Sequence, residues 1–386
     1  FTHSRKSAAM KTLILLLATV TVALAYKTMG QPGWSCDASL MKKSKEVPKT
    51  VHSLRPADID IIGAIGDSIT AGNGAGAHPD DPIAVLIQYR GLAFSVGGDK
   101  DLDEHITVAN ILRRFNPDVF GYSTGTGSAD NWKSARLNLA IPGAHSAQML
   151  EQAKDLVSRM KMHPEIDFDN HWKAVFIFVG GNDICGWCDF QDSASAEAFR
   201  DKVGKAVQYL HDNLPKTIVI LTGMIDVSLL RRVDHDTEFC KDLHVLECRC
   251  EQRQNVTDAA LSTICHQYMT REQELQTTNQ FDDKDDFTLV IEPYLEGLTD
   301  IGRNPDGTVD YSFFTPDCFH FSAYGHAITA KYLWNNMMQP VGKTMPANLN
   351  GTDTAAAPLL CPDPTCPFIR TVKNTADCKP YFTPTD

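Results

Sequence analysis

The chain has 386 residues, 43% hydrophobic and 22% charged, with a formal net charge of −12. That is enough for a large core and one or two domains. The acidic balance argues against a nucleic-acid partner, which needs a basic face, and against adsorption by charge to anionic membranes.

The N-terminal stretch speaks to the compartment. From Met10, "MKTLILLLATVTVALA" runs from one lysine through an apolar stretch to Ala23-Leu24-Ala25. This reads as a secretory signal peptide with an A-x-A cleavage site, too short for a membrane anchor and followed at once by polar sequence. Residues 1–25 are therefore expected to be leader and signal, and the product to be secreted. Residues 26–50 form a polar lead-in without periodicity.

A catalytic domain is expected over residues 51–345. Five short apolar runs read as strands: "DIDIIGAIG", "RLNLAIPG", "KAVFIFVGG", "KTIVILTGM" and "FTLVIEPYL". Most are unbroken rather than alternating, as in strands covered on both faces. Between them, "HSAQMLEQAKDLVSRMKM" and "SAEAFRDKVGKAVQYLHDNL" carry apolar residues at helical spacing, and "SAYGHAITAKYLWNNMM" closes the series. Such alternation predicts an α/β fold with a parallel sheet of about five strands under helices. Residues 230–286, rich in Cys, Gln and Asp, read as a disulfide-tied helical insertion. The tail, 346–386, holds Cys, Pro and Thr but no terminal apolar stretch, so no transmembrane or lipid anchor is expected.

Eleven cysteines suit export. An odd count leaves one thiol free or paired between chains. "CGWC" (185–188) follows Gly-Gly-Asn-Asp rather than opening a thioredoxin-like helix, so it reads as a structural staple, and disulfides are preferred to zinc. The sequons at Asn255 and Asn350 can carry glycans.

In a parallel sheet, ligands sit at the carboxyl ends of the strands. Those ends here supply Ser68, Gly143 and Asn182, and Asp317 with His320 stands just before the last helix. A serine hydroxyl needs a base within hydrogen-bond reach, and His320 can serve. Asp317, three residues earlier, can hold its imidazole in one tautomer. The backbone N–H groups of Ser68 and Gly143, with the side-chain amide of Asn182, can receive an oxyanion. Alone, each motif is a common turn or cap. Their order along the chain points to acyl transfer.

"GDSITAGNGAG", "NLAIPGAHS", "FVGGNDIC" and "DCFHFS" resemble the four sequence blocks of the SGNH (GDSL-type) hydrolases. Further segments, among them "QYRGLAFSVGGD", "LRRFNP", "GGNDICGWC" and "LWNNMMQPVGK", resemble the phospholipase B type of that superfamily, over about residues 50–375. The resemblance implies a flavodoxin-like three-layer fold with helices on both faces of the sheet. It also implies a Ser68–Asp317–His320 triad that cleaves fatty-acyl esters of phospholipids or lysophospholipids at a lipid–water interface, without metal or cofactor. Alternatives are another SGNH esterase or deacetylase, or a non-catalytic lipid-binding protein.

Several residues invite a second reading. "GYSTG" (121–125) matches the nucleophile elbow of α/β-hydrolases, but Ser123 lacks the flanking strand and helix. Arg90 could contact a phosphate, or be tied inside the fold along with Asp99. Asp67 could brace its turn, His145 start a helix and His326 pack. "DDKDD" (282–286) lacks calcium-loop spacing and reads as a solvated turn. Trp187, Phe190, Phe313, Phe314 and Phe319 could line an acyl groove or simply pack.

Overall fold

The computed structural model describes residues 27–234 and 237–382. The signal-peptide reading at 1–25 lies outside the described residues. Four strands form one parallel sheet in the order β1 (Ile59–Gly66), β2 (Trp172–Phe178), β3 (Thr217–Thr222) and β4 (Phe287–Glu292). Every residue of β2, β3 and β4 is buried, which is why these runs show no polar alternation.

The second of the five expected strands is corrected. "RLNLAIPG" lies parallel to the free edge of β1: Ala64 N donates to Leu137 O (2.9 Å), Leu139 N to Ala64 O (2.8 Å) and Ile141 N to Gly66 O (3.1 Å). It forms only an isolated bridge at Asn138. The same edge is shared with residue 120, where Ile62 N donates to Phe120 O and Phe120 N to Asp60 O, both at 2.8 Å. Pro142, which has no N–H, ends the second segment. Two short segments thus cover the edge in turn, where one regular strand was expected.

Among the described residues, seven main helices follow in chain order: α1 (Val108–Phe115), α2 (Met149–Met162), α3 (Gly181–Phe190), α4 (Ala196–Asn213), α5 (Glu238–Glu247), α6 (Asp258–Thr277) and α7 (Ala323–Met337). Side chains cap several of them: Ser195 Oγ accepts from Ala198 N and Ser322 Oγ from Gly325 N. Helices α2, α4 and α6 pack in a row on one face of the sheet, and α1 and α7 meet on the other. Gly63 of β1 shows why α2 comes so close, since a Cβ there would stand 3.0 Å from Leu156 and 3.2 Å from Met160. On the opposite face, Phe178 meets Phe94, which stacks on His326 of α7. All fifteen residues of α7 are buried, so its amphipathic pattern is faint.

From β1 the chain goes to one side of the sheet, at residues 137–141, then crosses to β2 on the other. That reversal opens a crevice at the carboxyl end of β1. The insertion between β3 and β4 folds over this end and is tied there covalently. Cys185–Cys248 and Cys188–Cys250 join it to α3, and Cys240–Cys318 joins α5 to the loop that holds Asp317 and His320. Cys36–Cys361 and Cys366–Cys378 secure the lead-in and tail, which leaves Cys265 free and buried in α6.

Candidate active site

β1 stops at Gly66, where a Cβ would strike Phe178 O and Thr70 Oγ1, both at 2.5 Å. Gln152 of α2 clamps this end, accepting from Gly66 N and donating to Gly66 O, both at 2.9 Å. The chain then turns into a single helical turn, Ser68–Ala71. Asp67 caps it, accepting from Ile69 N at 3.0 Å. Gly72 ends it at φ 71°, a left-handed conformation that suits glycine, with Tyr89 O 2.5 Å from where a Cβ would be. Ser68 is thereby held at the first position of the helical turn, two residues past the end of the strand.

His320 meets Ser68 across 252 residues of sequence, with Nε2 2.8 Å from Oγ. Its Nδ1 lies 2.6 Å from Asp317 Oδ2. The other oxygen, Oδ1, accepts from Phe319 N (2.9 Å), His320 N (3.0 Å) and Thr315 Oγ1 (2.5 Å). Burial alone would raise the Asp317 carboxyl, but the charge of His320, its hydrogen bond and that of Thr315 outweigh it and hold the group below the ordinary carboxylate range. Burial pulls the other way on His320. There the charge and hydrogen bond of Asp317, followed by the charges of Glu247 and Asp67, win and raise it above the ordinary histidine value. With Nδ1–H donated to the Asp317 carboxylate, Nε2 presents its lone pair to the serine hydroxyl.

Gly143 follows Pro142 at φ 75°, with nothing within 4 Å of a would-be Cβ. Asn182 Nδ2 donates to Ala144 O at 2.9 Å, which sets the plane of its amide. The neighbouring turn is pinned by Asp183, which accepts from Ser146 N (2.8 Å) and Ser146 Oγ (2.6 Å). Ser68, Gly143, Asn182 and His320 line one open cavity. A second, mainly apolar cavity meets it at Ser68, Asn182 and Phe319, and is walled by Phe178, Met224, Leu229, Leu230, Phe314 and Leu349 among others. A hydroxyl, a base, an orienting carboxylate and amide donors therefore stand between an apolar and a polar space.

Of the aromatic residues singled out in sequence, Phe314 and Phe319 line the apolar cavity, and Phe190 the open one. Phe313 is buried against Phe314 and Phe321, and Trp187 packs on the core.

Arg90 is corrected as a substrate contact, because it is fully buried. It donates to Gly127 O (2.6 Å), Asn138 O (2.9 Å), Asn138 Oδ1 (3.1 Å), Gln88 Oε1 (2.6 Å) and Ala140 O (2.7 Å). It braces the segment that leads to Gly143. Asp99 accepts from Gly125 N nearby at 2.8 Å. Ser123 is buried, with Oγ donating to Arg90 O at 2.7 Å. His326 is a core residue whose Nδ1 accepts from Phe94 N at 3.2 Å. His145 lines the open cavity. The acidic run 282–286 ties neighbouring segments together, with Asp283 2.7 Å from His211 and Asp285 O accepting from Val51 N. Asn255 and Asn350 are exposed.

Two site residues carry no sequence signal of their own. Asp183 was legible only as part of a helix cap. Glu247, beside Cys248 in the insertion, lines the open cavity with a carboxylate oxygen within 4.8 Å of ligand atoms of Asp317 and His320. Burial and then the charge of Asp317 push Glu247 up to about 7. Burial raises Asp67 likewise to about 7.

Among the described residues, no helix is long and apolar enough to cross a membrane. The sequence model of GDSL-like lipases/acylhydrolases matches residues 62–333. The chain is 41% identical over 338 residues to the membrane-associated phospholipase B1 of Rattus norvegicus, covering 86% of this chain and 23% of that protein. Identity to the corresponding proteins of Mus musculus and Homo sapiens is 40% and 39%, again over 86% of this chain, and over 22% and 23% of theirs. The chain thus spans less than a quarter of the length of these relatives. On the extent of the match to the family model and of the identity to these relatives, the chain belongs to the GDSL-like lipase/acylhydrolase family, a family of ester hydrolases.

Proposed function

We propose that this chain is a secreted serine esterase of phospholipase B type, acting on fatty-acyl esters of phospholipids and lysophospholipids. The observation that carries the reading is the 2.8 Å contact between Ser68 Oγ and His320 Nε2 where an apolar and an open polar cavity meet. Names of relatives narrow the substrate: each is a phospholipase B1. Five disulfides support export, since they persist in an oxidising compartment.

The acyl chain lies in the apolar cavity, and the glycerophosphate side in the open one. Arg249 and His145 on the open wall are the basic groups available to a phosphodiester. Ser68 Oγ attacks the ester carbonyl as its proton passes to His320 Nε2. The Asp317 carboxylate stabilises the imidazolium. The oxyanion accepts from the N–H groups of Ser68 and Gly143 and from the Asn182 amide, each such donor being worth about 3 kcal/mol of barrier. Collapse expels the alcohol, which takes the proton from Nε2. Water, deprotonated by His320, then cleaves the acyl-enzyme and frees a fatty acid.

The test is mass-spectrometric product analysis with purified protein and phosphatidylcholine, beside Ser68→Ala. Fatty acid with glycerophosphocholine, absent in the variant, is expected. Acyl release from short soluble esters but not from phosphatidylcholine would move the assignment to another esterase of the family. No acyl release from any ester would favour a lipid-binding role.

A further inference from the structure

The insertion brings three polar side chains together away from the triad. Asp234 ends the short helix Leu230–Asp234, His244 stands on α5 and Glu251 on the short helix Arg249–Gln252. All three are buried, with relative exposures of 9%, 0% and 1%. Asp234 and Glu251 each direct one carboxylate oxygen, and His244 one ring nitrogen, to within 4.8 Å of one another. Among the described residues, Asp234 Oδ1, His244 Nδ1 and Glu251 Oε1 find no hydrogen-bond partner. His244 Nδ1 and Asp234 Oδ1 are 2.7 Å apart, but not in hydrogen-bond geometry.

A buried polar atom left without a hydrogen bond is costly, and here three converge. Their companion atoms are satisfied. Gln252 Nε2 donates to Asp234 Oδ2 and, at 2.6 Å, to Glu251 Oε2. His244 Nε2 donates to the backbone carbonyl of Asp317 at 3.2 Å. Metal-ligating histidines and carboxylates are supported from behind in this way. Arg231 is the competing cation, with Nε 3.4 Å from Glu251 Oε1. Its guanidinium is engaged by Glu251 O, Val256 O and Asp258 Oδ1.

We propose that Asp234, His244 and Glu251 bind one divalent transition-metal ion, zinc by the class of its donors. One imidazole nitrogen and two carboxylate oxygens leave a fourth tetrahedral position for water. Imidazole selects zinc over calcium or magnesium. Asp234 and Glu251 line an open surface cleft through which ion and water can enter. The ion would fasten α5 and the short helix 249–252 to the 230–234 turn. Through the His244–Asp317 hydrogen bond it would also steady the loop that orients His320. Its role is structural, and no step of ester cleavage passes through it.

A second cluster of Glu247, Asp317 and His320 is compact enough to hold an ion and provides the control. The tag-free full chain is stripped with chelator, dialysed and titrated with Zn²⁺ by calorimetry and with Co²⁺ by visible absorbance. One equivalent should bind, and Tm should rise with Zn²⁺. Glu251→Gln and Asp234→Asn should weaken binding by more than ~100-fold, since even an outer partner of a ligand is worth roughly 10- to 100-fold. Glu247→Gln should bind as the wild type does. No stoichiometric binding by the wild type overturns the proposal, as does binding that survives Glu251→Gln and Asp234→Asn or is lost in Glu247→Gln. Should the first two variants fail to fold, X-ray absorption of the zinc-loaded wild type decides. Imidazole nitrogen with oxygens near ~2.0 Å, unchanged in Glu247→Gln, supports the site, and a shell with sulfur, without imidazole or altered by Glu247→Gln refutes it.

Discussion

Replacing Asp317 by Asn removes one charge and leaves the shape of the side chain. In the wild type, Oδ1 accepts from three donors and Oδ2 accepts from His320 Nδ1–H at 2.6 Å. The turn depends on the first oxygen, and the amide keeps an oxygen there. The amide nitrogen then replaces Oδ2. It cannot accept from Nδ1–H, so the imidazole takes the other tautomer and Nε2–H faces Ser68 Oγ. A protonated Nε2 cannot receive the serine proton. The expected loss in kcat is about 10⁴-fold, or roughly 5.4 kcal/mol at 1.36 kcal/mol per tenfold. Folding should change far less, because the bonds that shape the turn remain. The assay is kcat on a soluble p-nitrophenyl ester, with Tm measured in parallel. A loss smaller than tenfold at unchanged Tm would refute the assignment of Asp317 as the orienting carboxylate.

Asn182→Ala should lower kcat by about 10²–10³-fold with a smaller effect on KM, since an oxyanion donor acts chiefly in the transition state, and steady-state kinetics on the same ester would check this. Arg90→Met should strip hydrogen bonds from several buried carbonyls, costing about 3 kcal/mol or more of stability. Denaturant unfolding should show that cost, whereas a change confined to KM for phosphorylated substrates would contradict the buried bracing role. Removing Cys240 and Cys318 together, both to Ser, opens a cross-link spanning 78 residues, worth roughly 4.5 kcal/mol in the chain-entropy model; urea unfolding and kcat should both report the loss. For pH, His320 must be neutral to act as base and its value is raised, so kcat/KM should fall as acid protonates it, with the limb above the ordinary histidine value of 6.5. Its stabilising contribution is complete below 6.5 and fades as pH rises through the raised folded value. Asp317, held low, contributes stability above its ordinary 3.8 and loses it only in stronger acid. A pH–rate profile with an acid limb well below 6.5 would count against the His320 assignment.

Ser68, Gly143, Asn182, Asp317 and His320 were legible because each stands in a short local signal: an apolar run that stops at glycine, or an Asp-x-x-His turn before a helix. The ends of parallel strands gather at one edge, so position along the chain was a fair guide to position in space. The helices from Met149 and Ala196 were legible by periodicity, whereas the one from Ala323, buried on every side, was legible only from its place in the strand–helix series.

Where the outcome depended on which partner a residue meets, the sequence alone was silent. "RLNLAIPG" has the composition of a strand, but the edge of β1 also takes residue 120, and no local feature announces that rival. Arg90 looks like a phosphate ligand until the carbonyls of Gly127, Asn138 and Ala140 close around it. The cysteine count required disulfides, while their pairing needed the insertion folded across α3 and the His320 loop. Glu247, and the Asp234–His244–Glu251 trio, have no spacing that marks them. Composition, periodicity and turn chemistry are local quantities and determined the class of fold, its order of elements and the residue types at the strand ends. Burial, pairing and the shifted acidity of His320 and Glu247 arise from groups distant in sequence, so they emerge only once the chain is folded.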